Sequence, residues 1–169
     1  TLTNCGNEAA VTSGENAGGI IGNKFTSGSD YTVTNCYNTG NVTATGNTSY
    51  NRAGGIVGSF NGTANILNSY NAGTITSDSY AGGLIGGSGN AENCYNLGTV
   101  QGGSETKFGT LTNSKNSTFK NCYYLIGSAT DRSEKATGMT LAQMQGDLLA
   151  KLGETNWKIV SGVNKSIPI

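Results

Sequence analysis

Histidine is absent from this 169-residue chain, and charged residues make up only 12% of it. Without imidazole, Ser-His and Cys-His catalytic arrangements and most hydrolytic zinc sites are excluded. Lysine plus arginine and aspartate plus glutamate both number 10, so the formal net charge is zero. The chain therefore lacks the basic surface with which proteins bind nucleic acids or anionic membranes.

Proline is also scarce, with one residue at position 168, and large aliphatic side chains are few. Glycine, threonine, asparagine and serine number 27, 22, 21 and 16, which is about half of the chain. Such a composition is compatible with disorder, although zero net charge and eight tyrosines argue against it. The placement of the few apolar residues decides between disorder and a fold.

Two short motifs recur along the first 125 residues. The first reads AGGIIG at 17–22, AGGIVG at 53–58 and AGGLIG at 81–86. The second has the form NCYN, and its five copies begin at Asn4, Asn35, Asn68, Asn93 and Asn121. Most positions two before and seven after each of these asparagines are apolar. Agreement in register over several copies indicates a repeat architecture.

Each repeat contains three short β-prone segments separated by glycine, asparagine and serine, as turns require. Such units are typical of one coil of a parallel β-solenoid, whose coils stack about 4.8 Å apart. We predict an all-β fold with a β-solenoid (β-helix) of about four to five coils over 1–130. Two inward columns are expected, one of Val42, Ile75 and Val100 and one of Ile56 and Leu84. An antiparallel sandwich is the alternative, but it leaves the shared register unexplained.

The register also predicts ladders of identical side chains along the stack. Amide groups of asparagine bond along such a stack, and asparagine tolerates the left-handed backbone of a sharp corner. The predicted asparagine ladder is Asn35, Asn68, Asn93 and Asn121. If asparagine lies at the corner, the next residue turns inward, which we favour. The four cysteines are then expected to be mostly reduced and buried, with Cys36, Cys94 and Cys122 forming a ladder. Strict alternation would instead permit disulfides between neighbouring coils, Cys5–Cys36 and Cys94–Cys122.

The composition changes after Asp131, where apolar residues adopt helical spacing. We predict a helix at 140–152, with Thr140 as its N-cap and Gly153 just beyond its end. The open end of a solenoid exposes strand edges and a cross-section of the core, which terminal units must cover. Residues 131–169 are therefore predicted to form a C-terminal cap, with Leu148, Leu152 and Trp157 buried against the last coil.

The cadence AGGIVG…NSYNAGTIT, at 53–58 and 68–76, resembles the GLUG repeats of bacterial surface proteins and of IgA-peptidase-type proteins. The resemblance covers residues 4–125, and the tail resembles the sequence that often closes such arrays. It implies a secreted or wall-attached bacterial protein, often adhesin-like, with a β-helical fold. Gly6 in place of tyrosine, and a degraded GGxxG motif at 108–112, are departures at the two ends. The family supplies no catalytic residues that can be carried over.

Length variation between repeats is concentrated at 23–34 and 44–52. Insertions in solenoids become loops on the flank, which is often the binding side. Aromatic and polar side chains on a rigid scaffold suit a glycan or a protein loop. The predicted ligand-binding residues are Phe25, Asp30, Tyr31, Tyr50 and Arg52. The alternative is that these loops are tolerated insertions without a function.

No acidic residues pair at D-x-D spacing, and calcium-loop patterns are missing. We therefore predict no catalytic residues, no metal and no cofactor. The sequence favours a non-enzymatic repeat module of a secreted bacterial cell-surface protein, for adhesion or for display of a partner domain. A polysaccharide-processing β-helix and a structural spacer are the alternatives. The expected partner is a host or matrix glycan or protein, with no nucleic acid and no membrane insertion. Because the sequence begins within a repeat, we expect a longer chain.

Overall fold

The computed structural model describes residues 1–24, 30–46, 49–60, 62–104, 107–130, 132 and 135–169, and their regular structure is mostly β-strand. In chain order the strands are β1 Leu2–Thr3, β2 Gly6–Asn7, β3 Val11–Ser13, β4 Asn16–Gly18, β5 Ile21–Lys24, β6 Tyr31–Thr34, β7 Tyr37–Asn38, β8 Val42–Ala44, β9 Arg52–Gly54, β10 Val57–Phe60, β11 Ala64–Leu67, β12 Tyr70–Asn71, β13 Ile75–Ser77, β14 Tyr80–Gly82, β15 Gly89–Asn96, β16 Val100–Gln101, β17 Phe108–Gly109, β18 Thr118–Leu125 and β19 Thr137–Met139. Two short helices follow, α1 Leu141–Gly146 and α2 Leu148–Leu152, and then a 3-10 turn at Asn164–Ser166.

All pairings between the described strands are parallel, and up to β18 each joins equivalent strands of neighbouring repeats. The largest sheet places β1, β6, β11, β15, β18 and β19 side by side, and β2, β7 and β12 join it through β15. The other sheets are β3–β8–β13–β16, β4–β9–β14–β17 and β5–β10. The all-β prediction is confirmed as parallel strands in curled sheets with few helices, and the antiparallel sandwich is excluded.

The predicted apolar columns lie in the core. Val42, Ile75 and Val100 are register partners on β8, β13 and β16, and at most 2% of each is exposed. The Ile56 amide donates a hydrogen bond of 2.9 Å to the Leu84 carbonyl, and both side chains are fully buried. Small aliphatic residues therefore suffice for a core, because each is covered by its counterparts in the neighbouring repeats.

The first asparagine of every NCYN copy has positive φ, between 46° and 57°, which forms the predicted corner. The side-chain amides of these asparagines are linked in a row, with N–O distances of 3.0–3.3 Å. The corner resets the alternation of side chains, so the following cysteine points inward. All four cysteines are free, with Cys36, Cys94 and Cys122 buried and Cys5 half-buried. Buried thiols, rather than the two disulfides, are what the structure contains.

A second asparagine ladder lies inside the molecule and was not predicted. Its members occupy the fourth position of the NCYN motif: Asn7, Asn38, Asn71 and Asn96. Their amides are joined by bonds of 2.7–2.8 Å, and each also donates to a backbone carbonyl two residues ahead. The last three side chains are fully buried. Because both hydrogens of each amide have acceptors, this polar column adds no unsatisfied donors to the core.

The C-terminal segment differs from the prediction in two ways. The predicted helix at 140–152 is broken into α1 and α2 at Asp147, next to the unfavourable Gly146. Thr140 caps α1 through a complete capping box with Gln143, as its position suggested. Strand β19 was not predicted, and it pairs with β18 and extends the largest sheet by one strand.

The three apolar side chains expected to cover the last coil, Leu148, Leu152 and Trp157, are buried. They pack with Tyr70, Tyr95 and Tyr123, which come from three different repeats. The segment therefore lies along the side of the repeats, and only β19 pairs with the last repeat strand. Its function as a cap stays a prediction.

Candidate functional site

Four of the five predicted ligand-binding residues belong to the described part of the chain. Phe25 falls outside the described residues. Tyr31, on β6, packs at 5.9 Å from the ring of Phe60 and against the core, and Asp30 beside it is exposed. Tyr50 is 71% exposed in the turn before β9. Tyr31 and Arg52 belong to different sheets, although Arg52 bonds Ser59, the neighbour of the Phe60 that Tyr31 contacts. A ligand-binding role of these residues stays a prediction.

Arg52 belongs to a cationic row on the sheet of β9, β14 and β17. Its guanidinium lies 5.8 Å from the ring centre of Tyr80, and the Lys107 ammonium lies 5.2 Å from the same ring. Both distances suit cation–π contacts. Arg52 also donates a hydrogen bond of 3.0 Å to Ser59 Oγ. These contacts within the protein account for the position of the Arg52 side chain.

A concavity lies where the C-terminal segment meets a column of stacked tyrosines. Tyr37, Tyr70 and Tyr95 stack with ring centres 5.6 and 5.0 Å apart and nearly parallel planes. Trp157 covers Tyr70 and Tyr95 at 6.2 and 5.3 Å. The segment stops short of Tyr37, which stays half-buried. The space left beside it is a groove of about 300 Å³, hereafter the tyrosine groove.

The end of the tyrosine column is set by Gly6, the register partner of Tyr37. A Cβ atom on Gly6 would lie 2.3 Å from Tyr37 Cζ, so the Tyr37 ring rests on Gly6 and would have to move to admit a side chain there. The Tyr37 hydroxyl instead donates a hydrogen bond of 3.0 Å to the Glu8 carboxylate. This bond, with burial and the negative charge of Glu8, raises the pKa of Tyr37. The departure from the repeat pattern at Gly6 therefore ends the column and orients its last ring.

Two walls of different chemistry enclose the tyrosine groove. One is the corner ladder, where Asn35 donates to Asn4 and Asn68 donates to Asn35. The other is the C-terminal segment, which contributes Trp157, Lys158 and Ile169. Reciprocal backbone hydrogen bonds of 3.2 and 2.8 Å between Lys158 and Ile169 hold this wall. The groove thus combines aromatic and aliphatic surface with amide groups, a carboxylate and an ammonium.

The C-terminal wall is fixed to the column through Tyr95, which is fully buried. Its hydroxyl donates to the Pro168 carbonyl and accepts a hydrogen bond of 2.8 Å from Asn164. Burial is the main cause that raises the pKa of Tyr95, and it raises the pKa of Tyr70 to about 12. Both phenols therefore stay neutral at physiological pH.

The acidic residues of the described chain do not converge. No group of three or more histidine, cysteine, aspartate or glutamate side chains that could hold a metal ion occurs among them. Asp78 is engaged at a corner, where it accepts hydrogen bonds from the Gly46 amide and the Asn51 side chain. Glu92 is paired with Lys120 at 2.5 Å.

In the part of the chain that the structure describes, no helix is both long and apolar enough to span a bilayer.

Comparisons with known proteins bear on the fold. No family model and no curated protein matches the chain. A solved structure from Bacteroides ovatus, described as a putative immunoglobulin A1 protease, is similar, with a TM-score of 0.66 and 20% sequence identity. The match covers 99% of this chain and 56% of that one, so the chain spans little more than half of its structural relative. At this identity the likeness concerns the fold alone, and membership of the GLUG family stays a prediction.

Proposed function

We propose that the chain is a parallel β-solenoid that acts as a non-enzymatic binding or display module of a secreted bacterial surface protein. The solenoid is supported by parallel pairing of equivalent strands, repeat after repeat, with identical positions stacked in the core. Residues 131–169 are its C-terminal cap, since β19 extends the last sheet and the helices cover the tyrosine column. The four to five coils expected from the sequence fit the number of stacked strands.

The observation that carries the binding role is the tyrosine groove. Binding sites are typically concave and combine apolar surface with a few convergent polar groups, as this groove does. A rigid stack of repeats holds such a site at little entropic cost. The scattered acidic side chains favour binding over the paired-carboxylate chemistry of polysaccharide-processing enzymes. The structural relative comes from Bacteroides ovatus, which supports a bacterial source.

The proposal is tested with beads coated with the full chain and applied to mucin-coated surfaces. We expect adhesion above that of albumin-coated beads, with no shortened polysaccharide in the supernatant. Immunoglobulin A1 incubated with the chain should stay intact on a denaturing gel. Cleavage of either substrate would make the chain an enzyme, and absence of adhesion would leave a spacer. Tyr31→Ala and Tyr50→Ala test whether the loop residues predicted from the sequence contribute to adhesion.

A further inference from the structure

We infer that the tyrosine groove binds a small zwitterion, namely an α-amino acid with an aliphatic side chain. The inference rests on the proposed binding function of the groove and names its ligand class. An α-amino acid carries an ammonium group, a carboxylate and a side chain on one carbon atom. The groove presents a partner for each of these three parts at one place.

Opposite charges line the two walls of the groove. Glu8 belongs to the repeats, and Lys158 belongs to the C-terminal segment. Both residues are exposed, and among the described residues neither forms an ion pair, unlike Glu92 and Lys120. A ligand with both charges gains at both walls, whereas a purely acidic or basic ligand gains at one wall and is repelled at the other.

Glu8 is held in place by the last tyrosine of the column. The Tyr37 hydroxyl donates a hydrogen bond of 3.0 Å to Oε1 of the Glu8 carboxylate. The Tyr37 ring is fixed between the Gly6 backbone and the Tyr70 ring, so Tyr37 contributes its hydroxyl and neither of its faces. A carboxylate has about four lone-pair sites, so this bond leaves room for an ammonium group. A side chain that is oriented in advance loses little conformational freedom when a ligand binds.

Side-chain amides add donors to the lining of the groove. Asn35 donates one N–H to Asn4, and Asn68 donates one to Asn35. An amide has two N–H donors, so the second donor of Asn35, which is exposed, can bond the carboxylate of a ligand. Lys158 provides a charged donor from the other wall, and its backbone is held by the two hydrogen bonds to Ile169.

The accessible apolar part of the lining belongs to the C-terminal segment. Val163 is 44% exposed and Ile169 is half-buried, and both line the groove. An aliphatic side chain of the ligand would cover apolar surface that water otherwise contacts, which favours binding. The volume of about 300 Å³ suits one amino acid better than a long chain. Because the site is small and open, we expect a Kd on the order of 1 mM.

Four ligands test the three parts separately. Leucine carries all three, N-acetylleucine lacks the ammonium group, leucinamide lacks the carboxylate, and glycine lacks the side chain. The full chain is titrated with each ligand. Binding is followed by the nuclear magnetic resonance of the side-chain amides and by the fluorescence of Trp157, the only tryptophan, which lines the groove. We expect saturable binding of leucine and at least fivefold weaker binding of the other three.

Two substitutions each remove one charge from the groove. Glu8→Gln keeps an acceptor for the Tyr37 hydroxyl, and it should weaken leucine binding at least fivefold and abolish the preference for leucine over N-acetylleucine. Lys158→Met should weaken leucine binding to a similar extent and abolish the preference over leucinamide. Glu154→Gln and Lys151→Met remove exposed charges of the same kinds outside the groove. Both controls should bind leucine as the original chain does, and melting curves verify that all variants are folded.

The outcomes separate this inference from the proposed function. Leucine binding that is unchanged in both Glu8→Gln and Lys158→Met overturns the inference, and so does equal binding of leucine, N-acetylleucine and leucinamide. Adhesion of coated beads without any binding of leucine also overturns it and leaves the adhesive function standing. Saturable leucine binding that is lost in Glu8→Gln, with no adhesion of coated beads, supports the amino acid site and contradicts the adhesive function. Tighter binding of the dipeptide leucyl-leucine than of leucine would identify a peptide ligand and overturn the inference.

Discussion

The repeats and the C-terminal segment bury their side chains by different means. In the repeats, Val42, Ile75 and Val100 are covered by one another because their strands are in register, and none is large. In the C-terminal segment, large side chains such as Met144, Leu148 and Trp157 pack without a repeating register. Burial in the repeats therefore depends on the register of the strands, whereas burial in the C-terminal segment depends on the size of a few side chains. The two meet at the tyrosine column, where the repeats present large rings to the segment.

Truncation after Thr130 is expected to have the largest effect. It would expose Tyr95 and Tyr123, which are at most 9% exposed, and would free the edge of β18 that pairs with β19. Exposed strand edges and apolar surface promote aggregation. We expect soluble aggregates by gel filtration, or a melting temperature sharply below that of the full chain. A truncated chain that stays monomeric and melts at the original temperature would show that the segment is an appendage.

Trp157→Ala should separate the segment from the column without removing it. Large-to-small changes at buried aromatic sites cost about 3–5 kcal/mol. Ile159→Ala, two residues on, removes a side chain that is 43% exposed and should cost less than about 1 kcal/mol. Guanidinium unfolding of both variants measures the difference. Equal, small losses would mean that the tryptophan does not hold the segment in place.

Asn71→Ala tests the buried asparagine ladder of the repeats. It would remove acceptors and donors for Asn38, Asn96 and Gly73 in a site that is fully buried. Unsatisfied buried polar groups cost about 1–3 kcal/mol each, so we expect a loss of about 3 kcal/mol. Asn121→Gly at the exposed corner ladder should change the free energy of unfolding by less than about 1 kcal/mol. Similar losses at both positions would contradict the distinction between the two ladders.

The tyrosine column makes the junction sensitive to high pH. An unfolded tyrosine ionises near pH 10, whereas burial raises the pKa of Tyr70 to about 12. The folded state thus favours the neutral phenol, and its stabilisation is complete below pH 10 and lost as the pH rises towards 12. The complete loss across these two pH units corresponds to about 3 kcal/mol from Tyr70 alone. Urea unfolding at pH 9 and pH 11 should show the loss, and Tyr70→Phe should reduce it. If Tyr70→Phe loses as much unfolding free energy between pH 9 and pH 11 as the original chain does, another group causes the pH dependence.

The last prediction concerns how fast the four cysteines react in the folded protein, where we expect the smallest signal. Cys36, Cys94 and Cys122 are buried and Cys5 is half-buried, so Cys5 is expected to react first in the native protein. The pKa of Cys36 is raised, mainly by burial, and this lowers the fraction of Cys36 that is present as thiolate. Thiol titration should give at most one fast group in buffer and four in denaturant. Two disulfides in the mass spectrum would contradict the inward cysteine ladder.

The repeats could be predicted from the sequence because equivalent residues recur in several copies. The positive φ of Asn35 and the inward turn of Cys36 follow once the motif is placed at a corner. The asparagine at the fourth position of NCYN, which includes Asn38 and Asn71, also recurs in the sequence. Its burial could not be predicted, because asparagine side chains are mostly exposed in proteins. The hydrogen bonds between these side chains account for that burial.

The C-terminal segment could be predicted only in part, because it occurs once. Helical spacing and Thr140 located the helices, but Gly146 and Asp147 divide them. That Trp157 packs on tyrosines of two earlier repeats is a long-range contact without a sequence signal. The tyrosine groove depends on this contact and on Gly6, so it could not be found among the flank residues predicted from loop length.

Contacts between methyl groups in solution test the in-register stack most directly. We expect nuclear Overhauser contacts from Ile75 to Val42 and to Val100, residues that are distant in sequence and paired in register. Ile56 and Leu84 should show the same contact. The full set, together with parallel cross-strand contacts between backbone protons, is the predicted result. Contacts of Ile75 with neither valine, or antiparallel patterns between adjacent strands, would contradict the stack of repeats.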